Sequence, residues 1–174
     1  MSGGRPRPPC PPPPEVQTVK VRALQEKFAG AHPPLVINVG VSSTHRGGHI
    51  PGAIWVARSY LERARRAYPD AGEIVVTSDS DVHARLGAAD AAELWPKASV
   101  AALSGGTPAW IDAELPLEQG MPAALCAEDD VWYKPYTDVN AKPEAMKGYF
   151  DWEFGLVERI RKDGDVRFSL VKQP

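Results

Sequence analysis

The side chains with the most chemical potential lie together in the stretch EIVVTSDSDVHARL, residues 73–86. An apolar run, Ile74-Val75-Val76-Thr77, enters a polar loop made of Ser78, Asp79, Ser80, Asp81, Val82 and His83. Two hydroxyls, two carboxylates and an imidazole could serve nucleophilic or acid–base catalysis. A Ser78–His83 hydrolase would place its serine in a G-x-S-x-G elbow, and none is present. The Asp79-x-Asp81 pattern after a strand suits an aspartate-nucleophile phosphatase, but the downstream acidic and lysine motifs that complete its Mg²⁺ site are missing. His45 and His49 stand at a metal-ligand spacing. Gly47-Gly48 between them opposes the helix that spacing needs, so no metal is expected.

The elements that must hold this loop read as a βα repeat. Residues 16–19 (VQTV), 35–39 (LVINV), 53–56 (AIWV), 73–77 (EIVVT) and 98–103 (ASVAAL) are short apolar runs separated by helical stretches. Helices are expected over 20–29, over 59–68 with Ser59 as N-cap, and over 82–95. After the last strand, Gly105 and Gly106 provide a turn, Thr107 an N-cap and Pro108 the first helical position. Alternating strands and helices predict an α/β fold, a three-layer domain with a five-stranded, mainly parallel sheet.

Composition narrows the function classes. A formal net charge of −2 disfavours nucleic-acid or membrane-surface partners, which need a basic face. No apolar run reaches membrane-spanning length and no signal-peptide core stands at the N-terminus, so a cytoplasmic protein is expected. The two cysteines, Cys10 and Cys126, fall in expected tail segments and make a poor disulfide framework. Residues 1–14 hold seven prolines and read as a polyproline II spacer. Residues 121–174 form an extension with a long helix beginning near Pro143 and ending near Lys162. Its apolar residues make two stripes: Met146, Phe150, Phe154 and Val157 on one, Tyr149, Trp152, Leu156 and Ile160 on the other. One core needs a single stripe, so the 143–162 helix is expected either to be an unusually well-buried packing helix or to contact a second copy or a neighbouring module.

Three segments of residues 15–120 resemble a rhodanese domain: GHIPGAI (48–54), the strand–loop–helix at 73–86, and LSGGTPAWIDAELPLEQG (103–120). The stretch YFDWEFGLVERIRKDGDVRF also resembles extensions of bacterial proteins that string several rhodanese modules together. In the first motif Gly48 and Gly52 are expected to adopt backbone geometry that a side chain forbids, Pro51 to fix the exit direction, and His49 to be a hydrogen-bonded structural residue. In the last, Trp110 is expected to bury a large surface against the sheet.

The family's chemistry requires a cysteine after the fourth strand, whose thiolate takes sulfane sulfur from a donor such as thiosulfate and carries it as a persulfide. The resemblance sets Ser78 at that position. Serine cannot hold a persulfide, Asp81 and His83 stand where the family's loop ordinarily has its glycine and basic residues, and the carboxylates of Asp79 and Asp81 would repel an anionic donor. A second departure is Asn38-Val39-Gly40, where the family commonly carries aspartate and, two residues on, arginine. These changes imply a module without sulfur transfer or cofactor, its aspartates now capping the helix that follows and its role structural, docking or interaction. An active sulfurtransferase is the alternative.

Overall fold

A computed structural model of the chain describes residues 12–131 and 143–163. In chain order the strands are β1 (Thr18–Val19), β2 (Leu35–Asn38), β3 (Ile54–Trp55), β4 (Glu73–Thr77) and β5 (Ser99–Leu103). Helices α1 (Val21–Phe28), α2 (Ser42–Gly47), α3 (Leu61–Ala67), α4 (Asp81–Leu94) and α5 (Gly106–Asp112) connect or follow them. All strands pair in parallel, in the order β1-β5-β4-β2-β3, so β4 lies between β5 and β2.

The expected α/β architecture follows from alternation along the central strands. Ile37, Ile74 and Val76 join Leu61, Ala64, Ala84, Ala88 and Ala91 of α3 and α4 in one buried cluster. Val36 and Val75 turn the other way and pack with Leu24 of α1 and Trp110 of α5. Trp110 is buried, meets Phe28 edge-on at 5.8 Å, and donates from Nε1 to the Pro116 carbonyl at 2.9 Å. The alanine-rich face of α4 lets that helix sit close to the sheet, which fixes where its N-terminus meets the end of β4.

Several local expectations are corrected. Ser59 falls within a 3-10 turn, Arg58–Tyr60, and Tyr60 precedes α3 without a side-chain cap. Thr107 is not an N-cap. The left-handed Gly105 (φ 78°) starts α5 earlier, and the Thr107 hydroxyl instead meets that of Thr77 at 3.0 Å. Gly48 is extended (φ 172°), a conformation open to any residue, whereas Gly52 is left-handed (φ 74°) as expected. The helix α2 was not anticipated; it runs through Gly47 and carries His45, with His49 lying beyond its end.

A first compact unit ends at Val131 and a second begins at Trp132, later than the expected boundary near residue 120. The chain after Gly120 stays with the sheet. Trp55 donates to the Ala123 carbonyl and Leu125 donates back to Trp55, so this segment runs parallel to β3 and covers its free edge. The second unit contains α6 (Pro143–Asp163), with proline at its first position and Arg161 and Lys162 in its last turn, as helix-end electrostatics favour. Phe150, Trp152, Phe154, Val157 and Ile160 on α6 are exposed, Phe154 at 78%. Among the described residues, no helix is long and apolar enough to cross a membrane.

Candidate functional site

Parallel strands bring their carboxyl ends to one face, and three loops meet there: the one after β2, the one after β4 and the one after β5. The middle loop contains Ser78, Asp79 and Ser80; Asp81, Val82 and His83 are already the first turn of α4. Ser80, not an aspartate, is the N-cap, accepting from the His83 N–H at 3.2 Å. This corrects the expectation that the aspartates cap the helix.

The two carboxylates reach to opposite neighbours. Asp79 accepts from the Val41 N–H at 2.6 Å, in the loop after β2. Asp81 accepts from the Gly105 N–H at 2.9 Å, in the loop after β5, and from Arg85 Nε at 2.7 Å. The Gly105 N–H, with Arg85 beside it, holds the Asp81 carboxyl below its ordinary range, burial opposing. The loop thus stitches three strand ends together, and each negative charge has a donor. Asp79 also crowds Gly40, where a Cβ would lie 2.7 Å from its carboxylate oxygen.

Ser78 sits at the centre, fully buried, and its hydroxyl has no hydrogen-bond partner among the described residues. Its carbonyl accepts from the Thr107 N–H at 2.9 Å. Gly106 is left-handed (φ 64°), and a Cβ there would lie 2.5 Å from that carbonyl oxygen. The close approach explains why glycine stands at this position. Asn38 Oδ1 accepts from the Gly40 N–H at 2.8 Å, and Trp55 Nε1 donates to the Gly40 carbonyl, which together fix the neighbouring loop.

Beside this face His45 and His49 are buried with their rings stacked, centroids 3.7 Å apart and 9° from parallel. His49 Nδ1 pairs with the His45 carbonyl at 2.8 Å, and its Nε2 lies 3.7 Å from Glu118. Both ring nitrogens of His45 lack a partner among the described residues, and burial, then the nearby His49, lowers its pKa to about 4. Stacked rings do not converge on an ion. Among the described residues no group of three or more potential ligands is assembled.

Of the residues expected at the site, the structure gathers Ser78 to Asp81 with Gly105 and Gly106, while His83 is used through its backbone N–H and Val82 is exposed. Sequence reasoning missed Arg85, although an (i, i+4) partner to Asp81 on a helix was a usable signal. It also put Cys126 in a tail. Instead Cys126 packs against the sheet and its Sγ accepts from the Ala57 N–H at 3.3 Å, just past the end of β3. Cys10 lies outside the described residues.

The fold of this chain is similar to that of several solved structures. A thiosulfate sulfurtransferase from Pseudomonas aeruginosa matches 94% of this chain at 35% identity with a TM-score of 0.83. The chain contains a rhodanese-like domain. It spans 31% of that protein's length. The rhodanese-like domain of an Anabaena protein matches over 68% of this chain and 90% of its own, with 22% identity and a TM-score of 0.52. A rhodanese-related protein from Thermoplasma volcanium matches over 59% and 98%, with 16% identity and a TM-score of 0.51; at these identities the likeness is one of fold. Neither a protein-family model nor a curated protein sequence matches the chain.

Proposed function

We propose that this rhodanese-like domain does not transfer sulfur and works as a structural and docking module. One observation carries the reading: the residue that follows β4 is Ser78, whose buried hydroxyl has no partner among the described residues. An alkoxide is far harder to form than a thiolate, and oxygen cannot hold a sulfane sulfur as a persulfide. The engagement of Asp79 and Asp81 by neighbouring N–H groups supports a scaffold role for the loop. A cytoplasmic setting agrees with Cys126 being a free thiol.

The contact we assign to the module is through α6, with another rhodanese-like module as the occupant. Exposed Phe150, Phe154 and Val157 follow one another at helical spacing, and the Pseudomonas relative continues well beyond the length matched here. Thiosulfate:cyanide turnover tests the silent reading. We expect none in the chain as it stands, and measurable turnover only in Ser78→Cys or Ser78→Cys/Asp79→Arg. Turnover in the unmodified chain, accompanied by one added sulfur on Cys126, would establish the alternative of an active sulfurtransferase.

A further inference from the structure

The β2–β4 ladder ends with a bond from the Val39 N–H to the Thr77 carbonyl at 2.9 Å. Beyond it, one hydrogen bond joins the two following loops among the described residues: the Val41 N–H donates to Asp79 Oδ2 at 2.6 Å. The same carboxylate fills the space beside Gly40. A Cβ built there would lie 2.7 Å from Oδ1 and 2.9 Å from Oδ2. Gly40 has no positive φ, so backbone geometry does not call for glycine at this position. The carboxylate of Asp79 does.

Both sides of this contact are anchored independently of it. On the β2 side, the Gly40 N–H donates to Asn38 Oδ1, Trp55 Nε1 donates to the Gly40 carbonyl, and the Ser42 N–H donates to Asp130 Oδ2, each at 2.8 Å. On the β5 side, the Ser78 carbonyl accepts from the Thr107 N–H at 2.9 Å, and Asp81 is held by the Gly105 N–H and Arg85. Asp79 differs from Asp81 in accepting one hydrogen bond among the described residues. Its donor belongs to Val41, which is exposed (37%), so water can take over that N–H when the carboxylate leaves. Ser78 lies between the two sets of anchors and is buried. A loop held by several bonds at one flank and by a single bond at the other opens at the second flank.

We propose that Asp79 is a clasp between the loops after β2 and β4, and that it shuts Ser78 off from small solutes. The inference rests on the reading of this loop as scaffold and extends it: the loop is closed as well as lacking a thiol. A carboxylate that takes the Val41 N–H and fills the space at Gly40 leaves neither to an incoming anion, and its own charge repels one. Gly40 is the other half of the clasp, since the carboxylate has its seat where a side chain at that position would begin.

Two measurements on the full chain test this. The first uses a reporter thiol, Ser78→Cys in a Cys10→Ser/Cys126→Ser background, labelled with methyl methanethiosulfonate under native conditions. Adding Asp79→Ala should raise the labelling rate roughly tenfold, the factor that loss of one charge-assisted hydrogen bond corresponds to, and adding Gly40→Ala should raise it too. Leu24→Ala, a core substitution on α1, controls for general loss of stability and should leave the rate unchanged. Equal rates with and without Asp79, or the same acceleration by Leu24→Ala, would overturn the proposal. The second measurement needs no buried cysteine. In urea unfolding, Gly40→Ala should lower the midpoint of the parent and leave that of Asp79→Ala nearly unchanged, because the colliding carboxylate is gone. Equal losses in the two backgrounds would separate Gly40 from Asp79 and sink the clasp. Neither readout involves sulfur transfer, so failure of the clasp shows here, whereas failure of the silent reading shows as thiosulfate:cyanide turnover in the unmodified chain.

Discussion

The loop after β4 and the histidine pair around α2 both bury polar atoms, and they satisfy them in opposite ways. In the loop each carboxylate has a backbone N–H from a neighbouring loop, and Asp81 has Arg85 as well. In the pair, three of the four ring nitrogens have no hydrogen-bond partner among the described residues, and the rings lie against each other. The loop therefore stores its stability in directional contacts that join β2, β4 and β5. The pair stores its stability in packing that holds only while His45 is uncharged. The two regions should fail under different perturbations, which gives ways to separate them.

The largest effect should come from the backbone approach under Ser78. Gly106→Ala forces a left-handed conformation on a residue with a Cβ and drives that atom against the Ser78 carbonyl oxygen. Strain and displacement together should cost roughly 3 kcal/mol. Urea unfolding would show a lower midpoint at unchanged slope, and the loss should be the same at pH 7 and pH 5. A loss that grew on acidification would mean the loop and the histidine pair are coupled.

Acid should then act on the pair first. His45 is held at about 4 in the fold against 6.5 when unfolded, so the unfolded chain binds the extra proton. Stability is whole above pH 6.5 and falls as pH drops toward about 4, by on the order of 3 kcal/mol. Asp81, held below its ordinary 3.8, loses its contribution only below that value, in a separate window. The neighbouring charges, Glu118 near His49 and Arg46 on α2, set the remaining slope. His45→Phe keeps a ring on His49 but has no proton to gain, so its unfolding midpoint should stay flat between pH 6.5 and 4. A slope equal to that of the parent would assign the acid response to another group.

Much of this was legible in the residues. The apolar runs and their order gave five strands and three layers, because burial on both faces of a parallel sheet demands near-continuous Val, Ile and Leu. Gly105-Gly106 marked its turn because left-handed backbone selects glycine so strongly. What escaped were contacts between backbone and distant side chains. Val41 is 38 residues from Asp79 and Gly105 is 24 from Asp81, and nothing about a peptide N–H in either loop marks it as a partner. The helix α2 escaped because SSTHRG, Arg46 apart, consists of weak helix formers; the carboxylate of Asp130, accepting from Ser42 N–H at 2.8 Å, helps fix its start from a distance of 88 residues. Cys126 was misread for the same reason, since its segment has no strand pattern of its own and borrows order from the edge of β3.

The smallest effect is the most direct test of what Ser78 does. A buried hydroxyl without a partner costs the fold its desolvation and returns no hydrogen bond. Ser78→Ala removes that polar atom while leaving the carbonyl that Thr107 N–H uses, so the variant should be as stable as the parent or more stable by about 1 kcal/mol. In the histidine pair no such gain is available: His49→Ala would remove the stacked ring and its bond to the His45 carbonyl together, and should destabilise. The contrast is the useful readout. If Ser78→Ala instead destabilises the chain, the hydroxyl has a partner in solution, and the cradle around it would have to be read as a working site.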